Sequence, residues 1–245
     1  VLGMGLPVTA AYIVLGTLSA PALFDLIANQ QLATAIASGD VGEQAKTMLM
    51  LVSPEAAAKL GTPMPLDAAK EIVAAIPREL MAPIREGIID ATSLTFALLS
   101  AHLIIFWLSQ DSNVTPPVCL TAFTAAAIAK TPAMATGVTS WKIAKALYIV
   151  PLLFAYTPFI GGPLPEVFTI FGFALVGLYA FSGFMQGHLE KPMSWPIRIA
   201  LLACGVTLLL PLATYIKLVG LAGFVAILVL NIRSKSVVQA ATASS

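Results

Sequence analysis

Charged residues are scarce in this chain. Only 10% of its 245 residues are Asp, Glu, Lys or Arg, whereas an ordinary soluble domain has about a quarter. So few charges cannot cover a water-facing surface, which excludes a soluble globular domain. The formal net charge is +1 and the 13 Lys and Arg residues are scattered. This argues against a nucleic-acid partner, because phosphate binding needs a concentrated basic face.

Cysteines and catalytic groups are also few. The two cysteines, Cys119 and Cys204, lie in apolar runs without metal-ligand spacing or a disulfide framework, and we interpret both as packing residues. The sequence shows no nucleophile–base pair, metal cluster or phosphate loop, so we predict a protein that is not an enzyme and has no cofactor. It begins at Val1 without the features of a signal peptide, and we expect it to be part of a longer protein.

Long apolar runs are what the sequence does contain, with 58% hydrophobic residues and a mean hydropathy of +0.92. A helix needs about 20 mostly apolar residues to cross a bilayer. The predicted spans cover residues 6–28, 91–109, 142–160, 164–184, 195–212 and 215–230, with a shorter apolar helix over 118–129. The acid-rich, proline-cut segment 29–90 predicts short helices over 54–60 and 66–76, outside the hydrocarbon.

The distribution of basic residues predicts an orientation, because short cytoplasmic loops carry the excess of Lys and Arg. With segment 29–90 outside, the alternation of spans puts these basic residues inside: Lys130, Lys142, Lys145, Lys191, Arg198, Arg233 and Lys235. Only Lys217 departs from the pattern. It lies near the outer end of the last span, where its long side chain can reach the interface.

Two segments break the helical pattern, at residues 3–9 and 111–117. Irregular backbone at membrane depth requires partners from protein or a water-filled cavity. The first is a glycine-rich turn entering a helix N-terminus, which favours an anion. In the second, two consecutive prolines free carbonyl groups beside hydroxyl side chains, and such hard oxygens suit sodium. Each segment also has a plainer interpretation, a loop for the first and a kink for the second.

The candidate residues follow from these two breaks. The candidate substrate- and ion-binding residues are Gly3, Gly5, Pro7, Thr9, Ser112, Asn113, Thr115, Pro116 and Pro117. Among them, Ser112 and Thr115 are the candidate sodium ligands. Because both breaks carry polar backbone away from lipid, we expect them to lie close together near mid-membrane depth.

The same segments resemble the large permease subunit of the tripartite ATP-independent periplasmic (TRAP) transporters, in particular the fused permeases of the TAXI branch. The residues that carry the resemblance are GMGLPVTAAY at 3–12, SQDSNVTPPV at 109–118, the alanine-rich run 122–129 and the run 148–160. They cover most of residues 1–30 and 91–160. Two motifs in the family's order are more specific than either alone.

The resemblance implies an elevator-type secondary transporter with inverted repeats, multi-pass in the bacterial inner membrane. It implies import of an organic solute, with a carboxylate as the expected class, driven by sodium as the coupling ion. A periplasmic solute-binding protein, the N-terminal half of the permease and the lipid bilayer are the implied partners. Two other classes remain open from the residues themselves: a non-transporting membrane scaffold or assembly subunit and, less favoured, a channel.

The resemblance also divides the chain. Residues 1–28 correspond to the tip and outgoing arm of a re-entrant hairpin, and 29–90 to a periplasmic insert that is longer than the family leads us to expect. Residues 91–130 correspond to a broken transmembrane helix and 131–161 to the transmembrane helix that follows. Residues 162–245 are expected to form three additional transmembrane helices and a short cytoplasmic tail.

Overall fold

The chain is helical throughout the part that the structure describes. This computed structural model describes residues 6–39, 41–52 and 60–233. The helices are α1 (Val8–Leu18), α2 (Ala20–Ser38), α3 (Glu43–Val52), α4 (Leu66–Ala75), α5 (Arg78–Ile88), α6 (Ala91–Ser109), α7 (Leu120–Ala129), α8 (Ala133–Ile143), α9 (Val150–Tyr156), α10 (Leu164–Gln186), α11 (Trp195–Leu209) and α12 (Thr214–Arg233). Two 3-10 segments lie at Gln110–Asn113 and Ala144–Tyr148. The predicted all-helical class is confirmed.

The long apolar helices fit a helical membrane protein. Among the described residues, three helices are long and apolar enough to cross a membrane, namely Ala91–Asn113, Leu164–Gln186 and Thr214–Arg233. Helices α1 and α2 together form a fourth candidate, although the chain bends by 56° between them. The predicted spans over 91–109, 164–184 and 215–230 therefore correspond to helices of sufficient length.

The first predicted span, residues 6–28, is wrong in its extent. The helix does not end at residue 28, because α2 continues to Ser38 and ends at Gly39, whose φ of 80° gives a left-handed cap. The added turns bury Leu32, Ala33 and Ile36 in a hydrophobic core, which favours continuing the helix. Part of the segment assigned to the extramembrane insert thus belongs to a long helix.

Two further predicted spans also differ from the structure. Residues 142–160 do not form one helix, because α8 passes into the 3-10 segment Ala144–Tyr148 and α9 then starts afresh with Pro151 in its first turn. Proline lacks the N–H that a continuous helix needs. The span predicted over 195–212 is the shorter α11, whose 15 residues end before Pro211.

The described helices divide into two compact units, Tyr12–Phe106 and Val1–Ala11 with Trp107–Ser245. In the first unit, α2 packs against α4 and α5, and α3 packs against α5. Their shared core consists of buried aliphatic residues, among them Leu32, Leu49, Val73 and Ile84. Burial of this apolar surface holds the short helices together, since helices of 10 or 11 residues are marginal alone in water.

A buried arginine ties α5 to α2 within this unit. The guanidinium of Arg85 donates from Nη1 to Oδ1 of Asp25 at 2.7 Å and from Nη2 to Oδ1 of Asn29 at 2.7 Å. It also lies 5.5 Å from the centroid of the Phe24 ring. Because the cation has a carboxylate, an amide and an aromatic partner, its burial is compensated.

Small residues set the spacing of the last three helices. Helix α11 packs between α10 and α12, which it meets through short connections. A Cβ atom added at Gly205 of α11 would lie 3.2 Å from both the Ala180 Cβ and the Gly177 carbonyl oxygen of α10. Small residues allow the backbones of neighbouring helices to approach closely. In a membrane this matters because helix association is driven by van der Waals packing and not by the hydrophobic effect.

The surface of α10 and α12 is apolar. Leu164, Phe168, Val219 and Leu230 are each about 70% exposed. Single exposed apolar side chains are ordinary on soluble proteins. Here they repeat along helices of membrane-spanning length, so we interpret this surface as the one that contacts lipid.

Cysteine labelling tests the predicted orientation. In a background with Cys119 and Cys204 replaced by alanine, we expect Asp67→Cys to react with a membrane-impermeant maleimide from the periplasm, because the Asp67 side chain is 95% exposed. Lys191→Cys should react only after the membrane is permeabilised, as the distribution of basic residues requires. The opposite pattern would invert the topology, and equal labelling of both would show that an even number of segments crosses the membrane between residues 67 and 191.

A glycine substitution tests the close packing of α10 and α11. We expect Gly205→Val to lower the free energy of unfolding by about 1–3 kcal/mol, because overpacking forces the helices apart. Gly172→Val is the matched control, since a Cβ at Gly172 meets no atom within 4 Å. The melting temperatures of both purified variants measure the effect. Equal melting temperatures would show that Gly205 does not set the helix spacing.

Candidate functional site

Helix α6 leads to the predicted break and has a well-defined start. Its first turn is capped by Asp90, whose carboxylate accepts hydrogen bonds from the Ser93 amide at 2.9 Å and the Ser93 hydroxyl at 2.6 Å. These bonds hold the pKa of Asp90 below its usual range. The helix then continues without proline for 19 residues.

The break lies where the sequence predicts it. After α6 the chain tightens into the 3-10 segment Gln110–Asn113, and α7 begins only at Leu120, two residues later than predicted. Pro116 and Pro117, joined by a cis peptide bond, lie between them. Prolines have no N–H to offer, so the regular helical ladder stops here.

Asp111 is the centre of this break. Its carbonyl oxygen accepts from the amides of Val114 at 3.1 Å and Thr115 at 2.9 Å. Its side-chain Oδ1 accepts from the Thr115 hydroxyl and, at 2.6 Å, from the Tyr148 hydroxyl. We call Asp111, Thr115 and Tyr148 the Asp111 cluster. One residue thus satisfies both backbone and side-chain donors of the break.

The carboxylate of Asp111 is buried and accepts from hydroxyl groups. Asp111 is 4% exposed and Thr115 is 5% exposed. Among the side chains that the structure describes, which do not include that of Lys145, no Lys, Arg or His nitrogen lies within 4.0 Å of the Asp111 carboxylate. A buried carboxylate is costly when ionised unless a charge or several hydrogen bonds compensate it. The two hydroxyl donors, Thr115 and Tyr148, provide hydrogen bonds but no positive charge.

The neighbouring polar side chains bond within the break. The buried Ser112 hydroxyl donates to the Ser109 carbonyl at 3.0 Å, and the Asn113 amide donates to the Gln110 side chain at 3.2 Å. A hydroxyl that donates its proton keeps its oxygen lone pairs. The oxygens of Asp111, Ser112 and Thr115 are of the hard type that sodium prefers as ligands.

The helix and the 3-10 segment that follow the break pack directly against it. A Cβ added at Gly137 of α8 would lie 2.8 Å from Cys119 Sγ and 3.2 Å from Pro116 Cγ, so only glycine permits this contact. The indole of Trp107 donates to the carbonyl of Leu147 at 3.0 Å. This bond joins α6 to the 3-10 segment that carries Tyr148. The interruption of the predicted span over 142–160 is what places the Tyr148 hydroxyl on Asp111.

The structure describes the first predicted break only in part. Gly3 and Gly5 lie outside the described residues. Pro7 precedes α1 and its carbonyl accepts from the Ala11 amide at 2.9 Å, while Thr9 is exposed on α1. The predicted meeting of the two breaks therefore stays a prediction, as does the role of Pro7 and Thr9 in it.

Sequence reasoning missed the two residues that complete the cluster. Asp111 is the only Asp or Glu between residues 91 and 165, and that isolation among apolar residues was a usable signal. Tyr148 carries no such signal, because nothing in the sequence links it to a residue 37 positions earlier. In the part of the chain that the structure describes, no group of three or more His, Cys, Asp or Glu forms a metal site.

Comparisons with models of protein families, with curated proteins and with solved structures find no match for this chain. The class that the fold supports is a helical membrane protein with several long apolar helices. The resemblance to TRAP permeases rests on the sequence motifs.

Paired substitutions at Asp111 test whether the cluster stabilises the break. We expect Asp111→Leu, of similar shape, to lower stability by about 1–3 kcal/mol for each buried donor left unpaired. Asp111→Asn keeps an oxygen acceptor at Oδ1 and should melt near the parent. Melting temperatures in detergent measure both. A leucine variant as stable as the parent would contradict a structural role for these hydrogen bonds.

Proposed function

We propose that the chain is part of a sodium-coupled secondary transporter in a bacterial inner membrane. Its proposed task is to import an organic solute, with a carboxylate as the expected class, delivered by a periplasmic binding protein. The observation that carries the proposal is a buried carboxylate, Asp111, which accepts from hydroxyl groups at a polar break between apolar helices. Ionisable residues in such a setting are costly and usually functional.

The proposed sodium site assigns a role to each residue of the break. Asp111 supplies the negative charge, and the hydroxyl oxygens of Thr115 and Ser112 act as neutral ligands. Tyr148 is a positioning residue, because its hydroxyl donates to Asp111 Oδ1 and fixes the orientation of the carboxylate. The Pro116–Pro117 pair keeps the chain from closing into a regular helix that would withdraw these oxygens.

The elevator mechanism and the inverted repeats belong to the same proposal through the TRAP resemblance. Broken helices near mid-membrane depth are the general way in which such carriers build ion and substrate sites. The break between α6 and α7 is one such element. The turn at 3–7 would be its counterpart, and the N-terminal half of the permease would supply the second repeat.

A non-transporting membrane scaffold is the second candidate, and one observation favours it. The hydroxyls of Ser112 and Thr115 both have partners within the break, as a purely structural kink would require. The two candidates differ in whether the break responds to sodium. A scaffold needs no specific cation, whereas the transporter should gain stability from sodium in proportion to its affinity.

Sodium-dependent stability of the full-length permease tests the proposal. We expect sodium chloride to raise the melting temperature above that in equimolar potassium chloride. Thr115→Val, which removes one hydroxyl of similar size, should raise the sodium concentration for half-maximal stabilisation about tenfold, since a hydrogen bond to a charged group contributes about 1.5–3 kcal/mol. Pro117→Ala should weaken the sodium response in the same way, because the restored N–H lets the helix re-form.

Thr124→Val is the matched control, because Thr124 is an exposed residue of α7 whose hydroxyl bonds only to the Leu120 carbonyl at 2.9 Å. Its sodium response should equal that of the parent. Equal stabilisation of the parent by sodium and potassium would favour the scaffold. An unchanged response in both Thr115→Val and Pro117→Ala would remove these residues from the site.

A further inference from the structure

Lys217 is isolated in the sequence. It is the only charged residue between positions 199 and 232, and it departs from the predicted distribution of basic residues. In the structure it lies in the first turns of α12, half-buried, with Nζ 5.7 Å from the centroid of the Phe173 ring of α10. A partly desolvated lysine in an apolar helix is costly, so we looked for what its ammonium faces.

The ammonium faces a cleft of about 220 Å³ at one end of α10, α11 and α12. The cleft lies where α10 begins and where α11 connects to α12, and the chain after α9 forms its remaining side. Its polar lining consists of Glu166, Lys217 and the threonines Thr157, Thr169 and Thr214. Ile170, Phe173 and Pro211 are among the apolar residues that complete it.

The cleft carries one charge of each sign. Glu166 is in the first turn of α10 and Lys217 is on α12. Across the described residues, no ion pair within 4.0 Å joins the two side chains. Two opposite charges that line one cleft without closing on each other suit a ligand that is itself zwitterionic. A doubly anionic ligand would be repelled by Glu166.

The surroundings of the cleft indicate where that ligand comes from. The outward side chains next to it are apolar and highly exposed, including Leu164 and Phe168 of α10 and Leu218 and Val219 of α12. Both helices are long and apolar enough to span a membrane. A polar cleft at the end of such a surface lies at the level of lipid head groups, where lysine side chains and basic pockets between helices meet phosphates.

We infer that this cleft binds the head group of a phospholipid that carries a primary ammonium, such as phosphatidylethanolamine. The phosphate accepts from the Lys217 ammonium, and the ammonium of the head group donates to the Glu166 carboxylate. The acyl chains lie along the exposed apolar surface of α10 and α12. At about 220 Å³ the cleft is smaller than the 300–1,000 Å³ usual for drug-sized ligands, which suits one head group.

The chemistry predicts a selectivity among lipids. The trimethylammonium of phosphatidylcholine has no N–H to donate, and phosphatidylglycerol has no cation for Glu166. Both should therefore bind less well than phosphatidylethanolamine. Glycerophosphoethanolamine has the same phosphodiester and ammonium without the acyl chains, so it should bind weakly if the apolar surface contributes.

Lipid binding to the purified full-length protein tests the inference. Native mass spectrometry with the three phospholipids should show preferential retention of phosphatidylethanolamine. Lys217→Gln should lower its retention at least about tenfold, as expected for a lost charge-assisted hydrogen bond. Lys217→Arg keeps the charge and should retain binding. Glu166→Gln should abolish the preference over phosphatidylglycerol. If the Lys217→Gln variant does not accumulate in the membrane, the Glu166→Gln variant still tests the inference.

Lys142→Gln and Glu190→Gln, both at exposed positions, are the matched controls and should bind lipid as the parent does. Equal retention of all three phospholipids by the parent would overturn the inference, and so would unchanged retention in the Lys217→Gln and Glu166→Gln variants. Displacement of the lipid by millimolar glycerophosphoethanolamine would assign the cleft to a soluble ligand instead. These outcomes do not depend on sodium and leave the transport proposal to its own test.

Discussion

An interrupted helix among apolar residues must find new partners for the backbone groups that the interruption exposes. Here that requirement falls on Asp111, which accepts from two backbone amides through its carbonyl and from two hydroxyls through its carboxylate. The neighbouring segments are placed so that they provide these partners for Asp111. The 3-10 segment Ala144–Tyr148 supplies one of the hydroxyls, and the bond from Trp107 to Leu147 holds that segment in place.

The two ends of the bundle formed by α10, α11 and α12 differ in how their charged side chains are used. At one end, Arg198 donates from Nε and Nη2 to the Phe184 carbonyl at 3.0 and 2.8 Å, so the cation caps α10 directly. At the other end, Lys217 caps no carbonyl and faces a cleft shared with Glu166. The first arrangement is complete within the protein. The second leaves charges available to a molecule from the head-group region.

The sequence predicts those parts of the fold that depend on local composition. The apolar runs of α6, α10 and α12 were found within a few residues, because the length of such a run is a property of the chain alone. The extension of α2 to Ser38, in contrast, depends on its packing against α4 and α5. Tyr148 could not be assigned to Asp111 for the same reason, since only the fold brings them together.

Two acids in apolar surroundings show how a structural charge differs from one available to a ligand. Asp25, with its side chain 59% exposed, pairs with the guanidinium of Arg85 at 2.7 Å, so its charge is compensated by the protein and by solvent. Asp111 is 4% exposed and has hydroxyl partners, which donate hydrogen bonds but carry no charge. Hydroxyls alone do not offset the cost of burying an ionised carboxylate. Under the proposed sodium-coupled function, a cation bound at Asp111 would offset that cost and stabilise the break.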